Sequence, residues 1–177
     1  MRAKLAVLAL ILSLGLVNWS IMGKEKHLAE ADTVYLQLAP VDPRSLMQGD
    51  YMALQFELAT QVYAALPKKE HSSRWWQQVN AEDGFVVVSI DKRKVATFKS
   101  IKVKQALEKN DMLLRFRVRN GVVKFATNAY FFQEGHAQYY ESARFGKFRV
   151  DDEGELLLVS MFDKDLNELK APIKDEI

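Results

Sequence analysis

Apolar residues crowd the start of the chain and afterwards alternate with polar ones. Leu5 to Met22 is a run of 18 residues without an ionisable side chain, flanked by Arg2 and Lys4 before it and Lys24-Glu25-Lys26 after it. As a helix this run is about 27 Å long, enough for a bilayer core of roughly 30 Å. It is apolar on every face, whereas a helix packed on a soluble core keeps a polar stripe. The pattern predicts a signal anchor, a transmembrane helix over residues 1–23. A cleaved signal is the second reading, with Ala29-Glu30-Ala31 at the right spacing. That triplet lies behind Lys24, Glu25, Lys26 and His27, while a processing site follows closely on a shorter apolar core. Arg2, Lys4 and the terminal amine face Lys24 and Lys26, so the positive-inside bias is slight. A short tail with two bases stays cytoplasmic, which places the rest of the chain outside the inner membrane.

Residues 24–33 form a polar, helix-compatible stalk, and residues 34–177 form the body. Val34 to Leu38 reads as a strand that Pro40 and Pro43 stop. Ser45 to Asp50 reads as a loop. From Tyr51 onward, Met52, Leu54, Phe56 and Leu58 share one face by period two, and Tyr51, Ala53, Gln55 and Glu57 share the other. Thr60 to Leu66 and Ser72 to Ala81 look helical, the second capped by Ser72 or Ser73 with Gly84 just past its end. Phe85 to Ile90 and Val95 to Ile101 are strands around Asp91-Lys92-Arg93. Asn120-Gly121 is the preferred pair for a two-residue type I′ hairpin. It sets Arg119 against Val122, Arg117 against Lys124 and Arg115 against Ala126, with Leu114, Phe116 and Val118 on the opposite face beside Val123, Phe125 and Thr127. Lys147 to Val150 and Glu155 to Met161 make a second hairpin across Asp151-Asp152-Glu153-Gly154.

The fold class that follows is mainly β (α+β): an antiparallel curved sheet or small barrel with two short helices, plus the N-terminal transmembrane helix. A length of 177 residues allows one modest domain, and no repeat or interdomain linker divides it. With 49% hydrophobic and 27% charged residues the composition is globular. The chain has no Cys, which excludes a disulfide scaffold, thiol catalysis and any cysteine metal site.

Net charge is +2, but the charge is unevenly distributed. Lys92 to Arg119 holds ten basic residues against Glu108 and Asp111, while Asp151 to Ile177 holds nine acidic residues against three Lys. Arg115, Arg117, Arg119 and Lys124 share one face of the predicted hairpin and form a candidate surface for a partner or for anionic lipid. Pairing of that face with the acidic C-terminal segment is the competing and favoured reading. Nucleic acid is not expected, because no recognition motif accompanies the basic residues. Trp75 and Trp76 are adjacent on a predicted helix, so one ring packs inside and the other joins the candidate surface. Tyr130-Phe131-Phe132 and Tyr139-Tyr140 place aromatics on both sides of their elements, most of them as core.

The segment Gly49-Asp50-Tyr51-Met52-Ala53-Leu54-Gln55-Phe56 resembles the motif Gly-Asp-Tyr-x-x-Leu-x-Tyr that names a family of bacterial membrane-anchored proteins. Gly49, Asp50, Tyr51 and Leu54 match, and Phe56 stands where the motif has Tyr. Ala39-Pro40-Val41-Asp42-Pro43-Arg44-Ser45-Leu46 and the run from Ala143 to Val150 support the resemblance, which covers nearly the whole chain. It implies a single-anchor protein found with multi-spanning membrane proteins. It implies no catalytic or ligand residues, so Pro43, Arg44, Gly49, Asp50, Tyr51, Leu54 and Phe56 are a motif without an assigned chemical role.

Pro43 to Asp50 also resembles part of the type I signal peptidase motif Ser-Met-x-Pro-Thr-Leu-x-x-Gly-Asp. Aligning Leu46, Gly49 and Asp50 puts Val41 at the nucleophile, and a valine cannot attack a carbonyl. Ser45 with Lys92 or Lys94 would make a non-standard Ser/Lys dyad. His27, His71 and His136 are far apart in sequence and form no ligand-spaced pair, so neither a metal site nor a cofactor is expected. Asp151-Asp152-Glu153-Gly154-Glu155 lacks the alternating spacing of a calcium loop and reads as a charged hairpin tip. The leading functional expectation is a non-enzymatic extracytoplasmic domain that binds a multi-spanning membrane partner. A Ser/Lys hydrolase and an anionic-lipid-binding surface domain are the alternatives.

Overall fold

The computed structural model describes residues 2–40, 47–48, 50–68, 79–101, 107–127 and 129–172. Helix α1 (Arg2–Glu30) leads into β1 (Asp32–Gln37), and α2 (Glu57–Ala65) follows the short strands β2 (Met47–Gln48) and β3 (Tyr51–Ala53). The remaining strands are β4 (Asp83–Ile90), β5 (Ala96–Ser100), β6 (Asp111–Arg119), β7 (Val122–Lys124), β8 (Ala129–Phe131), β9 (Phe145–Val150) and β10 (Leu156–Phe162), with a 3₁₀ turn at Ala137–Tyr139.

Named strand pairs are all antiparallel and form three ladders, β1-β9-β10, β2-β3-β8 and β5-β4-β6-β7. Two backbone bonds join the first ladder to the third at opposite edges. Tyr35 N donates to Lys94 O at 2.8 Å, and Arg115 N donates to Gly154 O at 2.8 Å. The sheet therefore curls into a half-barrel, with one two-fold alternation serving a common interior. Val34, Leu36, Val86, Val88, Leu114 and Val118 all reach zero exposure there, and Phe125 and Phe148 fill the centre. The large β-branched content suits a pleated inner surface.

Most of the sequence pattern is realised. Met52, Leu54 and Phe56 are buried while Gln55 is exposed, as period two requires. Asn120 and Gly121 adopt φ of 52° and 73°, the type I′ conformation, and pair Arg119 with Val122 and Arg117 with Lys124. The 9–10 hairpin also forms across Asp151 to Gly154.

Several expectations need correction. The Ser45–Asp50 loop contains β2, which pairs Met47 with Met52 and Gln48 with Tyr51. The helix expected at Thr60 starts at Glu57, so Leu58 is buried from a helix and not from a strand. Gly84 is no helix cap. It lies inside β4, where a Cβ would stand 2.7 Å from the Phe116 ring, so the close ring approach accounts for the glycine. Arg115 does not pair with Ala126, because β7 ends at Lys124 and Ala126 turns away at φ 43°. The predicted Ser72–Ala81 helix, including Trp75 and Trp76, lies outside the described residues except for Val79–Ala81, which are not helical.

Helix α1 runs on through most of the expected stalk to Glu30, and the stalk's last two residues already belong to β1. Among the described residues no helix is long and apolar enough to cross a membrane.

Candidate functional site

The motif segment performs two structural tasks. Its first half turns the chain between β2 and β3, where Asp50 is exposed and its carbonyl accepts a hydrogen bond from Phe132 N at 3.0 Å. Tyr51 then packs on the outer side of the small sheet, its ring centroid 5.7 Å from that of Phe131. Phe131 is 71% exposed, the most exposed large hydrophobic side chain of the body among the described residues. In the second half of the motif, Leu54 and Phe56 turn inward. Phe56 meets Phe148 edge-on at 5.4 Å, so the residue that departs from the motif is a core ring. Gly49, Pro43 and Arg44 lie outside the described residues.

The outer flank of this segment faces β7 across a groove of ≈ 440 Å³. Ala53 to Phe56 form one wall, Gly121 to Phe125 form the other, and Ala59, Thr60 and Tyr63 of α2 form the end. The groove runs along the outer edge of the Asn120-Gly121 hairpin. Half-buried Lys124 stands at its rim, directly opposite Arg117 in the ladder.

The candidate basic face proves to be largely neutralised. Arg115 pairs with Glu155 from the acidic C-terminal segment and approaches Asp83 at 3.7 Å. Arg119 pairs with Asp83 at 2.7 Å. Arg117 donates to Ala126 O at 3.0 Å, a carbonyl and not an acid. Lys99, further along the same sheet, binds Asp111 at 2.9 Å and Glu108 at 3.1 Å. Those contacts hold the Asp111 carboxyl below its ordinary range, chiefly through the Lys99 hydrogen bond, and raise the Lys99 ammonium. On this face Lys124 has no ion pair with an acid among the described residues, and Arg117 shares Asp83, its opposite number on β4, with Arg115 and Arg119. The sequence could not separate these two from Arg115 and Arg119, because the acids that select between them come from β4 and the 9–10 turn.

A family model for the GDYXXLXY protein matches residues 13–161. The chain belongs to the GDYXXLXY family. The match begins within α1 and ends within β10, so it takes in every strand of the half-barrel. No curated protein and no solved structure matches the chain.

In this GDYXXLXY protein α1 is attached to the body by a junction that the sequence did not reveal. His27 Nδ1 lies 3.2 Å from the Asp151 carboxylate, and His27 Nε2 lies 3.0 Å from Arg149 O. Arg149 in turn donates to Ala31 O at 2.7 Å and to Thr33 Oγ1 at 3.0 Å. His27 is thus a clamp with its side chain 8% accessible, and it docks the end of α1 on the sheet.

Catalytic geometry finds little support. Ser45 lies outside the described residues, and Lys92 and Lys94 are exposed in the turn between β4 and β5. A serine and a lysine do meet elsewhere, where Ser160 pairs with Lys147 in register. The Ser160 hydroxyl is buried and Lys147 sits over the Phe162 ring at 6.0 Å, so neither is presented to a substrate. Among the described residues no cluster of three His, Asp or Glu could hold a metal ion. His136 packs edge-on against Tyr139, and His71 lies outside the described residues.

Proposed function

We propose that this GDYXXLXY protein is a membrane-tethered, extracytoplasmic binding domain that α1 anchors in the bacterial inner membrane beside a multi-spanning membrane protein. The observation that carries the reading is the apolar surface of α1. Leu10, Ile11, Leu12, Leu14, Leu16 and Val17 are all exposed, and Trp19 is 84% exposed. Water is a costly environment for so much contiguous apolar area. The sequence extends the uncharged run back to Leu5, which supplies the length a bilayer needs.

Asn18 favours a protein partner within the membrane. Its side-chain amide donates to Leu14 O at 2.8 Å, which uses one donor and leaves its carbonyl oxygen to find another group. Amides within apolar helices associate with neighbouring helices through such bonds, worth about 1 kcal/mol each. A binding role also suits a half-barrel whose described side chains present no convergent catalytic set.

Fusion of alkaline phosphatase to the C-terminus tests the topology. The expected result is an active phosphatase on an uncleaved chain, and an active cytoplasmic reporter at the same position would overturn it. Purification of the tagged protein in a mild detergent tests the partner. A multi-spanning membrane protein recovered with the native chain, and reduced with Asn18→Leu, is expected. Recovery of no membrane protein would overturn the partner reading.

A further inference from the structure

The groove between the motif segment and β7 combines two features that belong to one kind of ligand. Its floor and walls are apolar, through Ala53, Phe56, Ala59, Val123 and Phe125, and its ≈ 440 Å³ lies at the lower end of ordinary small-molecule sites, about 300–1,000 Å³. Its rim carries positive charge. Arg117 stands between Lys124 on one neighbouring strand and Asp83 on the other, and the same Asp83 carboxylate also serves Arg115 and Arg119. With Glu155 on Arg115, two acids face the four cations Arg115, Arg117, Arg119 and Lys124, so this face keeps surplus positive charge. Arg117 bonds the Ala126 carbonyl, Lys124 has no ion pair with an acid among the described residues, and Lys124 lines the groove itself.

We propose that this groove binds a single-chain anionic amphiphile, a fatty-acid-like carboxylate whose tail fills the apolar slot and whose head is held by Lys124 and Arg117. The anion offsets the surplus positive charge of this face, and charge-assisted hydrogen bonds from an ammonium and a guanidinium fix the head. The small volume selects one chain over the two chains of a membrane phospholipid. The second half of the family motif then has a role besides core packing, because Ala53 to Phe56 form the wall that the tail touches. This site does not depend on the membrane anchor or on a protein partner.

Native mass spectrometry of the full chain, released from a neutral maltoside detergent, tests the proposal with laurate as probe. One laurate per chain is expected, with dodecanol and acetate each binding at least about tenfold more weakly, since each lacks the head or the tail. Lys124→Glu places an acid opposite Arg117, which improves the hairpin pair while repelling a carboxylate. It is expected to hold a thermal midpoint at or above the native one and to lose about tenfold or more in laurate affinity. Ala59→Trp fills the slot and is expected to abolish the adduct. Undiminished laurate binding by Lys124→Glu, dodecanol binding equal to laurate, or no laurate adduct on the native chain would each overturn the proposal. Preferential retention of phosphatidylglycerol over laurate would do so as well, because it assigns the site to a two-chain membrane lipid.

Discussion

His27, in the last turn of α1, holds the Asp151 carboxylate at 3.2 Å and so ties the N-terminal helix to the turn between β9 and β10. The second ring nitrogen faces Arg149 O, which places acceptors on both sides of one imidazole. Since Arg149 also caps the chain at Ala31 and Thr33, helix, connection and sheet form one joint. Such a joint gives α1 a set orientation on the half-barrel.

His27→Ala removes both contacts and leaves the Asp151 carboxylate and a carbonyl without their partner. The expected loss is about 1–3 kcal/mol in denaturant unfolding. Faster hydrogen exchange should appear at residues 27–33 and 149–153, and not in β4 or β6. A stability change without that local signature would mean that the joint is not the element disturbed.

Asp111 gives a pH-dependent contribution whose sign follows from its hydrogen bonds. Lys99 donates to both of its carboxylate oxygens, and Glu108 N donates to Oδ2 at 3.1 Å. The folded carboxyl is therefore more acidic than the unfolded one. Its contribution is complete above the unfolded value of about 3.9 and disappears as pH falls through the lowered folded value. The thermal midpoint of Asp111→Asn should lie below the native one at pH 6 and converge on it at pH 2. A constant gap between the two proteins across that range would refute the assignment.

Local chemistry was the most legible part of this molecule. Asn120-Gly121 and the alternation through Met52, Leu54 and Phe56 depend on residues within a few positions of each other, and both are observed. Gly84 was misread because its reason is the ring of Phe116, on a neighbouring strand, and nothing adjacent in sequence announces it. The same distance hid the clamp at His27, the acids that neutralise Arg115 and Arg119, and the groove beside Lys124. Each arises only once β9, β4 or β7 has been laid against its neighbour.

Tyr130 supplies the alkaline counterpart. Burial, reinforced by a hydrogen bond with Tyr140, pushes its hydroxyl up to about 12. The unfolded chain therefore loses this proton first, near the ordinary value of about 10, and stability falls as pH rises from there through the folded value. Tyr130→Phe removes the titrating group and keeps the ring that meets Tyr140 at 5.2 Å. Between pH 9 and pH 12 the native protein should lose thermal stability more steeply than the variant. Parallel curves would show that Tyr130 is not linked to folding.

Gly154 closes the curl of the sheet, and it can do so only without a side chain. Its φ of +77° is left-handed, and a Cβ there would stand 2.9 Å from Leu113 O, a backbone atom with little room to yield. Its carbonyl accepts the Arg115 N–H that joins the 9–10 turn to β6. Gly154→Ala combines a backbone penalty with overpacking, so a loss of about 2–4 kcal/mol is expected. Because the clash pushes the turn off β6, the Arg115 amide should exchange faster, and the Arg115–Glu155 pair should weaken with it. Gly84→Ala serves as the contrast. Its conflict is with the Phe116 ring alone, so it should destabilise while leaving exchange at Arg115 unchanged. If Gly154→Ala costs less than about 0.5 kcal/mol, the turn is not seated against β6 and the half-barrel is open at that edge.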